Sequence, residues 1–97
     1  SAENLISLND FCIHHHIRQS FVYDLEDSGL VKIVHAEEQA YVQTDQIAQL
    51  ERMVHFHTEM DINVEGIETI SHLLEKIESM QQQILHLHNR LSIFENS

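Results

Sequence analysis

The residues with the most chemical potential lie together near the N-terminus, in the run Cys12-Ile13-His14-His15-His16-Ile17-Arg18. A thiol and three imidazoles are metal ligands by type, and a zinc or nickel site needs them to converge on one ion at about 2.0–2.3 Å. The spacing argues against convergence. Consecutive side chains on a helix point about 100° apart, so three adjacent imidazoles seldom reach the same ion. The other histidines, His35, His55, His57, His72, His86 and His88, are dispersed, and the pairs His55/His57 and His86/His88 stand two apart, on different helix faces. The expectation is no metal and no cofactor, with surface and turn histidines; a metal-responsive regulator using His14, His15 and His16 is the alternative.

Catalysis has less to stand on. Ser20, Asp24 and a histidine could be assembled into a triad, but no nucleophile elbow or oxyanion glycine accompanies them, and a chain of 97 residues leaves little volume for a substrate cleft. Gly29 and Gly66 are isolated, so no glycine-rich loop cradles a phosphate. Cys12 is the only cysteine, which excludes an internal disulfide and a zinc knuckle and fits a reducing compartment. A non-enzymatic protein is expected.

Charge is the sharpest compositional fact. Sixteen acidic side chains face five basic ones, Arg18, Lys32, Arg52, Lys76 and Arg90, for a formal net charge of −11. Nucleic-acid binding through phosphates requires clustered Lys and Arg, and these five are scattered. The acids Asp24, Glu26 and Asp27, followed by Glu37 and Glu38, form either a solvated face or a surface that repels phosphate and attracts a basic protein.

These residues must be positioned by a small, helix-rich domain, since the chain is 42% hydrophobic with two Gly and no Pro. Ser7-Leu8-Asn9-Asp10 has the form of a helix N-cap, predicting a first helix from Leu8 to about His14. Ile17, Phe21, Val22 and Leu25 recur at helical spacing and predict a second helix that stops near Asp27, before Ser28-Gly29. Two short helices with so brief a connection make a helix-turn-helix. Leu30 to Val34 and Ala40 to Val42 are apolar and partly β-branched around a polar His35-to-Glu38 turn, which predicts a hairpin wing. Thr44-Asp45 then caps a third helix, with Ile47, Leu50, Met53 and Val54 inward, to about Glu59. After a break at 60–63, Asn63 caps a fourth helix with Glu65 in its first turn.

From Ile67 onward nothing breaks a helix of about 29 residues, which would extend on the order of 40 Å. Its apolar residues keep a heptad: Ile70, Ile77, Ile84 and Leu91 at one position, Leu73, Met80, Leu87 and Phe94 three residues later. So narrow a stripe with polar flanks needs a partner helix. Self-association is the expectation; folding back on the domain or binding a different partner are the alternatives. The heptad leaves parallel and antiparallel pairing open.

Several of these segments resemble the MerR-type pattern of a first helix, a small and an aliphatic residue, a recognition helix and an acid-x-x-Gly-Leu ending. His16-Ile17 stands for the usual Gly-Val, and Glu26-Asp27-Ser28-Gly29-Leu30 for the ending. The stretch Tyr41-Val42-Gln43-Thr44-Asp45-Gln46-Ile47 resembles the wing exit and third helix, and Asp61 to Ile67 the turn into the fourth. The DNA contacts are not carried over, because Tyr23-Asp24 replaces Arg-Tyr in the recognition helix and Glu37, Gln39 or Val42 occupies the wing's Arg position.

A closer resemblance is to the MerR-like branch of CbpM-type chaperone modulators. Leu8-Asn9-Asp10-Phe11-Cys12-Ile13-His14 is similar to that family's Thr-Glu-Phe-Cys-Leu-His stretch, and Ile47 to His57, Gly66-Ile67 and Leu87 to Phe94 also correspond, so that the likeness covers about residues 5 to 95. It implies a modulator that binds the J-domain of a CbpA/DnaJ-type co-chaperone and blocks cooperation with the chaperone DnaK. J-domains carry a basic helix, which suits an acidic module.

Together these readings predict a mainly α protein, a MerR-like winged helix-turn-helix over residues 1–64 with a small hairpin wing, and a long dimerisation helix over 65–97. The expected partner-binding residues are Tyr23, Asp24, Glu26, Asp27, Glu37 and Glu38, with competing faces on the third and fourth helices. The expected partners are a J-domain co-chaperone and a second copy of the chain, with direct DNA binding not expected. No run reaches the roughly 20 apolar residues of a membrane span, and no basic leader precedes an apolar run, so a cytoplasmic setting is expected. A MerR-type DNA-binding regulator is the main alternative.

Overall fold

The computed structural model describes residues 4–96; residues 1–3 and 97, the outer ends of the two expected segments, lie outside the described residues. In chain order the elements are β1 (Leu5–Ser7), α1 (Leu8–His15), α2 (Gln19–Asp27), β2 (Ile33–Ala36), β3 (Gln39–Gln43), a 3-10 turn (Thr44–Gln46), α3 (Ile47–Thr58) and α4 (Val64–Glu95).

Ser7 ends β1 and caps α1, its hydroxyl accepting from the Asp10 amide at 3.3 Å. Both helices of the helix-turn-helix then stop in the same way. The Ile17 amide donates to the Cys12 carbonyl and the His16 amide to Ile13; the Leu30 amide donates to Leu25 and the Gly29 amide to Glu26. This paired closure requires a residue at positive φ. Gly29 supplies it at φ 76, and His16 supplies it at φ 54, ψ 46, in the left-handed region without the freedom of glycine.

The wing is a three-stranded antiparallel sheet in the order β1-β3-β2, where a two-stranded hairpin was expected. Three residues are too few for an alternation to register, and the partner that makes Leu5–Ser7 a strand, β3, lies far along the chain. Val42 pairs with Ile6 on one side and Ile33 on the other and is fully buried. The second strand also starts later than the apolar run at Leu30. The Leu30 amide is spent on closing α2, and Val31 is buried in the core, so the ladder begins at Ile33. Likewise Thr44 opens a 3-10 turn instead of capping α3; the Ile47 amide donates to its carbonyl, and no side chain caps α3 at Gln46.

Leu8, Val22, Leu25, Val42, Leu50 and Ile67 are at most 1% exposed and bring the four α-helices and β3 into one core. Each such side chain contributes about 1.5–3 kcal/mol by leaving water. Asn63 caps α4 as expected, its side-chain oxygen accepting from the Gly66 amide at 2.9 Å. Only the first turns of α4 touch the core: Ile67 is buried, while from His72 onward almost every residue is exposed. The helix therefore projects, and the radius of gyration is 18.0 Å, against about 13 Å for a compact domain of this size. No described helix is long and apolar enough to cross a membrane.

Candidate functional site

Helix α2 lies between two hollows, and its side chains divide between them. One flank, Gln19, Tyr23 and Glu26 at helical spacing, faces the wing. Glu26 Oε2 lies 2.9 Å from His35 Nε2 on β2, and the rings of Tyr23 and His35 stack with centroids 6.1 Å apart. Tyr23 and Glu38 together line a small hollow of about 250 Å³ between α2 and the wing. The other flank, Ser20, Phe21, Asp24 and Asp27, together with Ile17 in the turn before the helix, lines a groove of about 840 Å³ whose far wall is the end of α3 and the start of α4.

The six expected partner-binding residues are thus distributed. Tyr23, Glu26 and Glu38 belong to the wing flank, and Asp24 and Asp27 to the groove. Glu37 sits exposed at the hairpin tip at φ 56 and lines neither hollow. Sequence reasoning missed Arg18, His57, Val64 and Glu65, which complete the groove. The helical spacing of 17, 20, 21, 24 and 27 is the one trace of that face in the sequence; its opposite wall comes from residues some 40 positions away.

His57 closes the floor. Its ring stacks on Phe21 with centroids 4.3 Å apart and planes 18° apart, and its Nδ1–H donates to the Ile62 carbonyl at 3.0 Å. This joins α2 to α3 and fixes the turn into α4. Asp24, Asp27 and Glu65 form no ion pair within the chain among the described residues.

The histidine run is split by the turn. His15 packs against Phe11 with ring centroids 4.3 Å apart and planes tilted by 36°, and lies 3.9 Å from Glu51 on α3, while the His14 and His15 rings meet edge to face. Among the described residues no group of three or more His, Cys, Asp and Glu side chains is placed to hold a metal ion. Cys12 is buried in the core, and burial pushes its thiol pKa up. On α4, Leu73, Ile77, Met80, Ile84, Leu87, Leu91 and Phe94 are between 50% and 76% exposed, and only Ile70 of the heptad row is half-buried.

No curated protein and no solved structure matched the chain. A family model described as "MerR HTH family regulatory protein" matches residues 6–89, from β1 through most of α4. With the helix-turn-helix, nearly all of the sheet-built wing and most of the projecting helix within that span, the chain belongs to the MerR HTH family of regulatory proteins.

Proposed function

We propose that this protein is a non-enzymatic, cytoplasmic chaperone modulator that binds the J-domain of a CbpA/DnaJ-type co-chaperone and inhibits its cooperation with DnaK. One observation carries the reading. In helix-turn-helix DNA readers the second helix enters the major groove, next to phosphates. Here that helix presents Asp24, Glu26 and Asp27, and its one cation, Arg18, stands at its N-cap. A carboxylate facing phosphate is repelled, whereas the same carboxylate facing a basic helix speeds encounter and sets orientation. The overall charge of −11 acts in the same direction.

The heptad row on α4 is the proposed dimer seam, formed by Ile70, Leu73, Ile77, Met80, Ile84, Leu87, Leu91 and Phe94 against a second copy. Apolar side chains exposed along a helix this long are stabilised by a partner that removes them from water. The first half of α4 carries Glu65, Glu68, Glu75 and Glu78 against Lys76, and the second carries Arg90 against Glu95, so antiparallel pairing keeps the two acidic halves apart.

Titration calorimetry of the full chain with an isolated CbpA/DnaJ-type J-domain tests the partner. A saturable one-to-one interaction per chain supports it, and silence at high micromolar concentration rejects it. A MerR-type transcriptional regulator is the second reading, favoured by the family itself. Sequence-specific gel shifts by the isolated protein on genomic fragments, at moderate salt, would establish that one instead.

A further inference from the structure

Resting on the reading of a J-domain partner, the structure assigns a place to the contact: we infer that the partner's basic helix docks in the groove between α2 and the α3–α4 turn, and that the wing flank stays outside the interface. The groove of about 840 Å³ is too small for a helix body but accepts several side chains from one helical face. Within it Phe21 is buried under the His57 ring, and Ile17 and Val64 are half-buried beside it, a small apolar patch among polar lining residues. That patch supplies the apolar contact on which interface energy concentrates.

The charged rim selects the occupant. Asp24 and Asp27 stand one turn apart on α2, and Glu65, in the first turn of α4, lines the same groove. None of the three is engaged in an ion pair within the chain among the described residues, so all three carboxylates can meet Lys or Arg without breaking an internal contact. Arg18 lies at the opposite end of the groove, about 9–14 Å along the axis of α2 from the two aspartates. The α2 wall of the groove is therefore basic at the N-terminal end of the helix and acidic toward its C-terminal end, which favours one direction for a basic helix laid along it.

The wing flank is already satisfied internally. Glu26 is held by His35, and Tyr23 lies against the same ring, so binding there would have to displace those contacts.

Affinity for an isolated J-domain, measured by calorimetry on the 97-residue chain as purified, separates the two flanks. The Asp24→Lys, Asp27→Lys variant is expected to lose at least roughly tenfold in affinity through like-charge repulsion, and Glu37→Lys, Glu38→Lys to stay within about twofold of the parent. Thermal melts by circular dichroism accompany both variants. If the lysine variant melts early, Asp24→Asn, Asp27→Asn, which preserves size and polarity, decides in its place with an expected loss of roughly threefold or more. Groove variants that bind like the parent, or wing variants that lose as much, overturn the groove and leave the J-domain reading standing. A parent protein that does not bind the J-domain overturns both.

Discussion

Phe21 on α2 and His57 on α3 stack ring on ring, with centroids 4.3 Å apart, and the same histidine donates from Nδ1 to the Ile62 carbonyl at 3.0 Å. One side chain thus ties the recognition helix, the third helix and the turn into α4, and it sits beneath the groove proposed for docking. His57→Ala is expected to lower stability by about 1–2 kcal/mol, combining an aromatic pair with a hydrogen bond. His57→Phe keeps the ring and loses the bond, so it should fall between the two. Urea unfolding of the three proteins checks this, and an alanine variant indistinguishable from the parent would remove His57 as the joint.

The turn of the helix-turn-helix carries strain that can be relieved. His16 holds φ 54 without the freedom of glycine, at a position equivalent in its hydrogen bonding to Gly29. His16→Gly is expected to raise stability by about 0.5 kcal/mol, the left-handed cost of a side chain being partly offset by glycine's greater unfolded-state entropy. His16→Val should lower it by about 1 kcal/mol or more, because β-branched residues tolerate this region least. Thermal melts that rank valine above glycine would contradict the assignment.

Much of this local grammar was legible in the sequence. The Ser7 cap, the His16 turn, the Gly29 stop, the Asn63 cap and the heptad of α4 are all written within a few residues of where they act, so spacing alone exposes them. What was not legible depends on segments that meet from afar. Leu5–Ser7 becomes a strand only because β3 returns to it, and Leu30-Val31 leaves the ladder because its amide and side chain are claimed by α2 and the core. The candidate site followed the same rule: the acids were visible, but their division between a wing flank and a groove flank required the positions of β2 and α4.

The row along α4 makes a sharp prediction about mass. Sedimentation velocity of the parent should give a dimer, and Ile77→Asp, Ile84→Asp a monomer, because a carboxylate buried in an apolar seam without a partner is strongly disfavoured. An unchanged mass in the double variant would mean that the exposed row serves another contact.

Cys12 offers a probe of the core. It is 4% exposed and its thiol is raised from an ordinary value of 9.0 by burial. The neutral thiol is the favoured form in the folded state, so its contribution to stability is complete below the unfolded value and declines as pH rises past it. A thiol reagent at neutral pH is expected to modify Cys12 only as fast as the domain opens, with rapid reaction in urea. Immediate labelling of the native protein would show that α1 does not pack as described.

The central claim is that an acidic MerR-type module acts on a co-chaperone and not on DNA. The most direct measurement is the rate of ATP hydrolysis by DnaK, stimulated by a CbpA/DnaJ-type co-chaperone, as this protein is added. If the protein occupies the J-domain, stimulation falls in a saturable way toward the rate of DnaK alone, with that basal rate unaffected. Stimulation that persists at saturating protein would contradict it.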